Sequence, residues 1–173
     1  AASRDLIKEN GWAAVSIRAV ASRCSVSAGT IYNYYESKAD LLSDTIESIW
    51  HEIFFHPEDE QVFHDVESCI SWIYERLEYG NRQFPGFFSL HSFGFMRDEK
   101  TSGKKRMMKT WGHILNGLCE VLGNDPKVRA DVFDQEFTEK KFADILFSLI
   151  LVSMIRQDYD PSSVLMLVKK TLY

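Results

Sequence analysis

A chain of 173 residues with a net charge of −5 is long enough for one sizeable hydrophobic core, or for a small domain beside a larger one. Its longest apolar stretch, Phe142 to Ile155, is interrupted by Asp144 and is too short to span a bilayer, so it reads as a buried helix. Three cysteines, Cys24, Cys69 and Cys119, are odd in number and lack CxxC spacing; each sits in an apolar helical context and reads as a small core residue in a reducing cytoplasm.

No strand alternation occurs along the chain, and its periodicity is helical throughout. The start, Ala1 to Asp5, lacks the charged and apolar blocks of a signal peptide. It lies inside a first helix that carries Leu6 and Ile7 and ends near Asn10-Gly11. Because no Met opens it, a few further residues, some of them basic, are expected ahead of it. Ser16 is a candidate N-cap, and Ile17, Val20, Ala21 and Cys24 then make one apolar face. The turn Ser25-Val26-Ser27 follows, with Val26 as its apolar plug and Ser27 as the next cap. Beyond it Ile31 and Tyr35 share a face at i,i+4, while Gly29, Thr30, Tyr32 and Asn33 point the other way. Ser37-x-x-Asp40 has the form of a capping box that opens the next helix and puts Lys38 in its first turn.

A helix pair joined by so short a turn is the shape that lays its second helix into the DNA major groove. The outward set has the chemistry for that role. Small Ala28 and Gly29 let the helix start approach phosphates or base edges. Thr30 and Tyr32 carry hydroxyls that donate to phosphate, and Asn33 carries the amide that pairs with adenine. Charge is divided along the chain in the same sense. Residues 1–42 hold Arg4, Lys8, Arg18, Arg23 and Lys38 against Asp5, Glu9, Glu36 and Asp40, a net +1, which leaves −6 to the remainder.

The larger part continues the helical pattern. Leu41, Leu42, Thr45, Ile46, Ile49, Trp50, Ile53 and Phe54 mark a long amphipathic helix that breaks near His56-Pro57. After an acidic, loop-like stretch come Val66, Cys69, Ile70, Ile73 and Leu77 on another helix, then a connection from Gly80 to Gly86. A Phe-rich segment runs from Phe84 to Met96. A break centred on Gly103 leads to the helix of Met107, Met108, Trp111, Ile114, Leu115, Leu118 and Leu122, which the turn Gly123-Asn124-Asp125-Pro126 ends. A Phe133-to-Arg156 helix follows, and a last helix starts after Asp160-Pro161 with Pro at its first position. The Phe142–Ile155 stretch is apolar nearly all round. Its outer side, with Val164, Leu165, Leu167, Val168 and Leu172 of the last helix, would stay wet in a monomer, which marks a partner surface. Leu149, Val152, Ile155, Val164, Leu165 and Val168 are the candidate contacts.

The pattern from Ser16 to Leu42 resembles the DNA-binding end of the tetracycline-repressor (TetR) family of bacterial transcription factors. That family shows a small cap, a helix with a buried Ala, a Gly-Val-Ser turn, Gly-Thr-Leu-Tyr, an aromatic pair and Ser-Lys-x-x-Leu. Here these stand as Ser16, Ala21, Ser25-Val26-Ser27, Gly29-Thr30-Ile31-Tyr32, Tyr34-Tyr35 and Ser37-Lys38 to Leu41. Ser25 replaces the usual turn Gly, where a positive φ is less comfortable. Tyr35 replaces the usual Phe, so its hydroxyl must find a partner or the surface. The resemblance implies DNA contacts at Ser16, Arg18, Ser27, Gly29, Thr30, Tyr32, Asn33, Tyr34 and Lys38, to which the small Ala28 is added. It also implies a homodimer formed through the final two helices as a four-helix bundle, and a central cavity for an apolar or aromatic small molecule. Trp72, Phe88, His91, Phe95, Met108, Trp111, His113 and Asn116 are the candidate lining.

The expectation is therefore an all-α protein. Residues 1–42 form a three-helix DNA-binding domain with a helix-turn-helix, a fourth helix from about residue 37 bridges outward, and residues 43–173 form a helical effector-binding and dimerisation domain. Its expected function is that of a ligand-responsive regulator, more a repressor than an activator, released from a palindromic operator by its effector and working in the cytoplasm without a membrane partner. The rival is a small-molecule or protein-interaction module of the same fold that binds no operator. His51, His56 and His64 fit no metal-site spacing, and no phosphate loop, nucleophile elbow or His-Glu-x-x-His motif occurs. Neither an enzyme nor a metal or cofactor is expected.

Overall fold

The computed structural model describes residues 1–55, 63–88 and 102–173, with side chains for all of these except 102–110. Regular structure among the described residues is helical: α1 (Ala2–Asn10), α2 (Ile17–Arg23), α3 (Ala28–Tyr32), α4 (Lys38–Phe54), α5 (Val66–Gln83), α6 (Ser102–Asn124), α7 (Glu139–Arg156) and α8 (Ser162–Leu172), with a 3-10 turn at Trp12–Ala14. No helix among them is long and apolar enough to cross a membrane.

Local chemistry sets most helix starts. The Ser16, Ser27 and Ser37 hydroxyls each accept from a backbone amide three residues on, at 3.1 Å in every case. A cap of this kind is worth about 1 kcal/mol. Thr138 does the same for α7, accepting from Lys141 at 3.3 Å. Four boundaries differ from the sequence reading. α5 runs through Gly80 to Gln83, and Gly103 lies inside the first turn of α6 instead of breaking it. α7 starts at Glu139, not Phe133, because the Asp134 carboxylate accepts from the amides of Glu136 and Phe137 and holds a turn there. Pro161 is the cap of α8 and not its first residue; the Asp160 carboxylate accepts from the Ser162 amide at 2.9 Å.

The chain divides into two compact units. One is Ala1–Phe55 with Tyr79–Lys109, and the other is His56–Glu78 with Thr110–Tyr173. In the first, Ile7, Ile17, Val20, Ala21 and Ile31 are buried together with Leu41, Ile46, Ile49 and Ile53 of α4 and with Phe84, Phe87 and Phe88. The outer face of α1 is fastened to α4 by charge: Arg4 and Lys8 both donate to the Glu52 carboxylate, at 2.7 and 2.6 Å. Arg23 pairs with Glu9.

In the second unit, Ile70, Tyr74 and Leu77 of α5, Leu118 and Leu122 of α6, Phe142, Leu146 and Met154 of α7, and Val168 and Leu172 of α8 are buried. The Tyr74 hydroxyl reaches Ser153 Oγ at 2.9 Å. Asp125, only 5 % exposed, accepts from the amides of Val66 and Lys127 and from the Tyr173 hydroxyl, so both its oxygens are engaged.

Two core assignments of the sequence reading are corrected. Cys24 is exposed, because α2 ends at Arg23 and Cys24 serves as its C-cap on the outside of the turn. Val26 is 40 % exposed and plugs nothing. Cys69 is buried as expected, and Cys119 is half-buried.

Candidate nucleic-acid interface

The turn between α2 and α3 is built by two backbone bonds: the Ser25 amide donates to the Ser22 carbonyl at 3.1 Å, and the Val26 amide to the Ala21 carbonyl at 3.0 Å. Ser25 takes φ +56°, the left-handed conformation that its family counterpart meets with glycine. Ile31 is buried, which fixes the rotation of α3 and turns its other face to solvent. On that face Tyr32 is 54 % and Tyr34 is 79 % exposed, and Asn33 and Gly29 are exposed beside them. Large aromatic side chains so far from cover, next to an unburied amide, have no packing role to account for them. The Ser27 and Thr30 hydroxyls lie 3.0 Å apart, so the side-chain cap of α3 and one candidate phosphate donor are a single hydrogen-bonded pair. Ala28 is half-buried, and Ser16 is half-buried as the α2 cap.

Charge sharpens the picture. Of the five cations in residues 1–42, Arg4, Lys8 and Arg23 are spent on Glu52 and Glu9. Arg18 and Lys38 are exposed and make no ion pair among the described residues. They stand in the first turns of α2 and α4, on either side of α3 in the chain. The Tyr35 hydroxyl bonds to Asp44, and burial first, then the Asp44 charge and that bond, push its pKa above the usual tyrosine value. Tyr35 therefore stays a neutral donor, locking the end of the α3 segment onto α4.

Residues 1–45 match the family model described as bacterial regulatory proteins, tetR family. This N-terminal segment, about a quarter of the chain, is thus similar to the DNA-binding domain of that family. A transcriptional regulator FadR from Bacillus subtilis, solved in complex with stearoyl-CoA, has a similar structure, with a TM-score of 0.60 and 17 % identity over 99 % of this chain and 96 % of that one. At that identity the likeness is one of fold. No curated protein matches the chain. These likenesses support a DNA-binding transcriptional regulator.

The other candidate residues are scattered. Trp72 is half-buried with its ring 5.2 Å from Phe63, and Trp111 is half-buried with its ring 5.6 Å from Phe147. Phe88 is buried in the first unit, whereas Trp72 and Trp111 belong to the second. His113 and Asn116 are exposed on α6 and are not polar groups set in an apolar interior; Asn116 borders an open groove of about 540 Å³ with Leu115, Cys119, Thr138, Lys140, Lys141 and Asp144. His91 and Phe95 lie outside the described residues, as does the side chain of Met108. On the last two helices, Val164 and Val168 are buried in their own unit rather than left on its surface, while Leu149 and Leu165 are half-buried. Val152, Ile155 and Leu167 are exposed, whereas Leu172, expected on the same wet surface, is buried in its own unit. Ile145 and Met166 are exposed with them, and only the alternative phase of the α8 apolar pattern could have pointed to Met166.

Proposed function

We propose that the chain is a homodimeric repressor that reads a palindromic operator with α3 and is released from it by a small apolar or aromatic effector. The observation that carries the DNA-reading part is the exposed set Tyr32, Asn33 and Tyr34 flanked by the two cations, Arg18 and Lys38, that no described carboxylate neutralises. Ser16, Ser27, Ala28, Gly29 and Thr30 complete the contact surface, with hydroxyls and small side chains that suit phosphate and groove edges. The reading head is residues 1–42, α4 is the lever that leaves it, and residues 43–173 bind the effector and dimerise.

Two further observations support the reading. Ile145, Val152, Ile155, Met166 and Leu167 are large apolar side chains left exposed on α7 and α8, the kind of surface a second copy covers. A two-fold dimer would then set two α3 helices on half-sites about one helical turn apart or a multiple of it. The structural neighbour holds stearoyl-CoA, so a fold of this kind accommodates an apolar acyl chain. Such an effector need only bind one separation of the reading heads better than another. Work of this kind belongs in the cytoplasm, with the chromosome.

The test is selection of duplexes from a random pool by the purified chain, with its mass measured in solution. A palindromic consensus and a mass twice the 20.0 kDa of one chain are expected. A dimer that enriches no duplex would favour the rival reading, an interaction module of the same fold.

A further inference from the structure

The first unit contains a segment far from the helix-turn-helix in sequence, and its contacts with the reading head are specific. Just past the end of α5, the Pro85 carbonyl accepts from the Trp12 amide at 2.9 Å. Gly11 and Gly86 flank this bond, and both have positive φ, +77° and +78°. A Cβ on Gly11 would touch the Pro85 oxygen, and one on Gly86 would touch Trp12 Cβ, each at 3.4 Å. The Lys8 ammonium lies 5.0 Å above the Phe84 ring. Phe87, 3 % exposed, meets the rings of Trp12 at 5.8 Å, Trp50 at 5.7 Å and Phe88 at 5.0 Å.

Trp12 and Trp50 are not arbitrary neighbours. Trp12 opens the turn between α1 and α2, a few residues before Ser16 and Arg18, and Trp50 lies on α4, the helix that follows α3. Phe87 is therefore wedged between the two elements that bracket α2 and α3 in the chain. Packed interiors pass on displacements of this kind because they do not deform continuously. We propose that the 84–88 turn is a positioning element of the DNA-reading head: the Pro85 carbonyl and the Phe87 ring hold Trp12, and with it the start of α2, against α4. No residue from 84 to 88 needs to touch DNA for operator affinity to depend on it.

This inference rests on the DNA-reading proposal, and its experiment separates the two. Phe87→Leu and Gly86→Ala are made in the full chain, with Phe147→Leu in the second unit as a control for lost ring packing. Each is titrated against the duplex selected by the unmodified chain and against an unrelated duplex, and hydrogen exchange is followed at the Trp12 amide. Both head variants are expected to weaken binding to the selected duplex at least fivefold, to leave binding to the unrelated duplex unchanged, and to speed Trp12 exchange. The Phe147→Leu control changes none of the three. Equal losses on both duplexes would show a merely structural role and overturn the inference, as would unchanged affinity with either exchange result. If the unmodified chain selects no duplex, both proposals fall, and that result is recognised before any variant is made.

Discussion

Ser25 offers the most direct link from one residue to a measurable free energy. It holds φ +56° in the α2–α3 turn, is exposed, and its amide bonds to the Ser22 carbonyl. An L-residue in the left-handed region costs about 1–2 kcal/mol relative to the right-handed one. Glycine escapes that cost but gives up about 0.5–1 kcal/mol of extra chain entropy on folding. Ser25→Gly should therefore stabilise the protein by about 0.5–1 kcal/mol, and Ser25→Val, whose branched Cβ fits this conformation worse, should destabilise it by about 1 kcal/mol or more. For a chain of this length 1 kcal/mol corresponds to about 2–4 °C in Tm. The pair should thus differ by several degrees in a thermal melt followed by circular dichroism, with the glycine variant uppermost. A valine variant that melts with or above the glycine variant would refute the strain argument. Ser25 is not among the proposed contacts, so both variants should bind DNA as the unmodified chain does below their melting range.

Helical glycines give an opposed pair. A Cβ on Gly80 would fall 2.5 Å from Ile53 Cδ1 and 3.2 Å from the Phe88 ring, both buried, so Gly80→Ala should cost about 1–3 kcal/mol. Gly117 on α6 has nothing within 4 Å of that position, and Gly117→Ala should gain up to about 1 kcal/mol from helix propensity alone; urea denaturation of the two variants checks the signs. The Asp65 carboxyl is held below the usual aspartate pKa, first by the Ser68 amide and then by hydrogen bonding to Lys127 and its charge. Its contribution to stability is complete above the unfolded value of about 3.9 and is lost as pH falls through the lower folded value. Lys127→Ala should move the Asp65 titration upward, read by NMR on the carboxyl carbon. Cys24 is exposed while burial pushes the Cys69 thiol to about 12, so iodoacetamide followed by mass spectrometry should label Cys24 and spare Cys69 in the folded chain.

What could be read from the sequence was the chemistry that acts within a few residues. Ser16, Ser27 and Ser37 cap their helices as expected, because a hydroxyl and an amide three residues on decide the matter locally. The outward face of α3 followed from Ile31 in the same way. Cys24 and Val26 were misplaced because helical spacing says which residues share a face but not whether a neighbour covers it at the helix end. On α8 both sides are apolar, and only the packing of its own unit selects Val164 and Val168 for the interior and leaves Met166 and Leu167 outside. His113 and Asn116 are likewise exposed on α6, where spacing alone put them on apolar faces. The bond from Trp12 to Pro85 spans most of the first unit's sequence and leaves no periodic trace; Gly11 and Gly86 were its only local signs.

The central claim is that the surface of α3, with Arg18 and Lys38 beside it, meets DNA. Its most direct measurement is the salt dependence of binding to the selected duplex for Arg4→Gln, whose parent side chain is paired with Glu52, and for Lys38→Gln, whose parent is unpaired among the described residues. Lys38→Gln should weaken binding and lower the slope of log K against log salt by about one for each Lys38 that touches a phosphate. Arg4→Gln should leave that slope unchanged. An unaltered slope in Lys38→Gln, in a chain whose helical circular dichroism is intact, would contradict the assignment of this face to DNA.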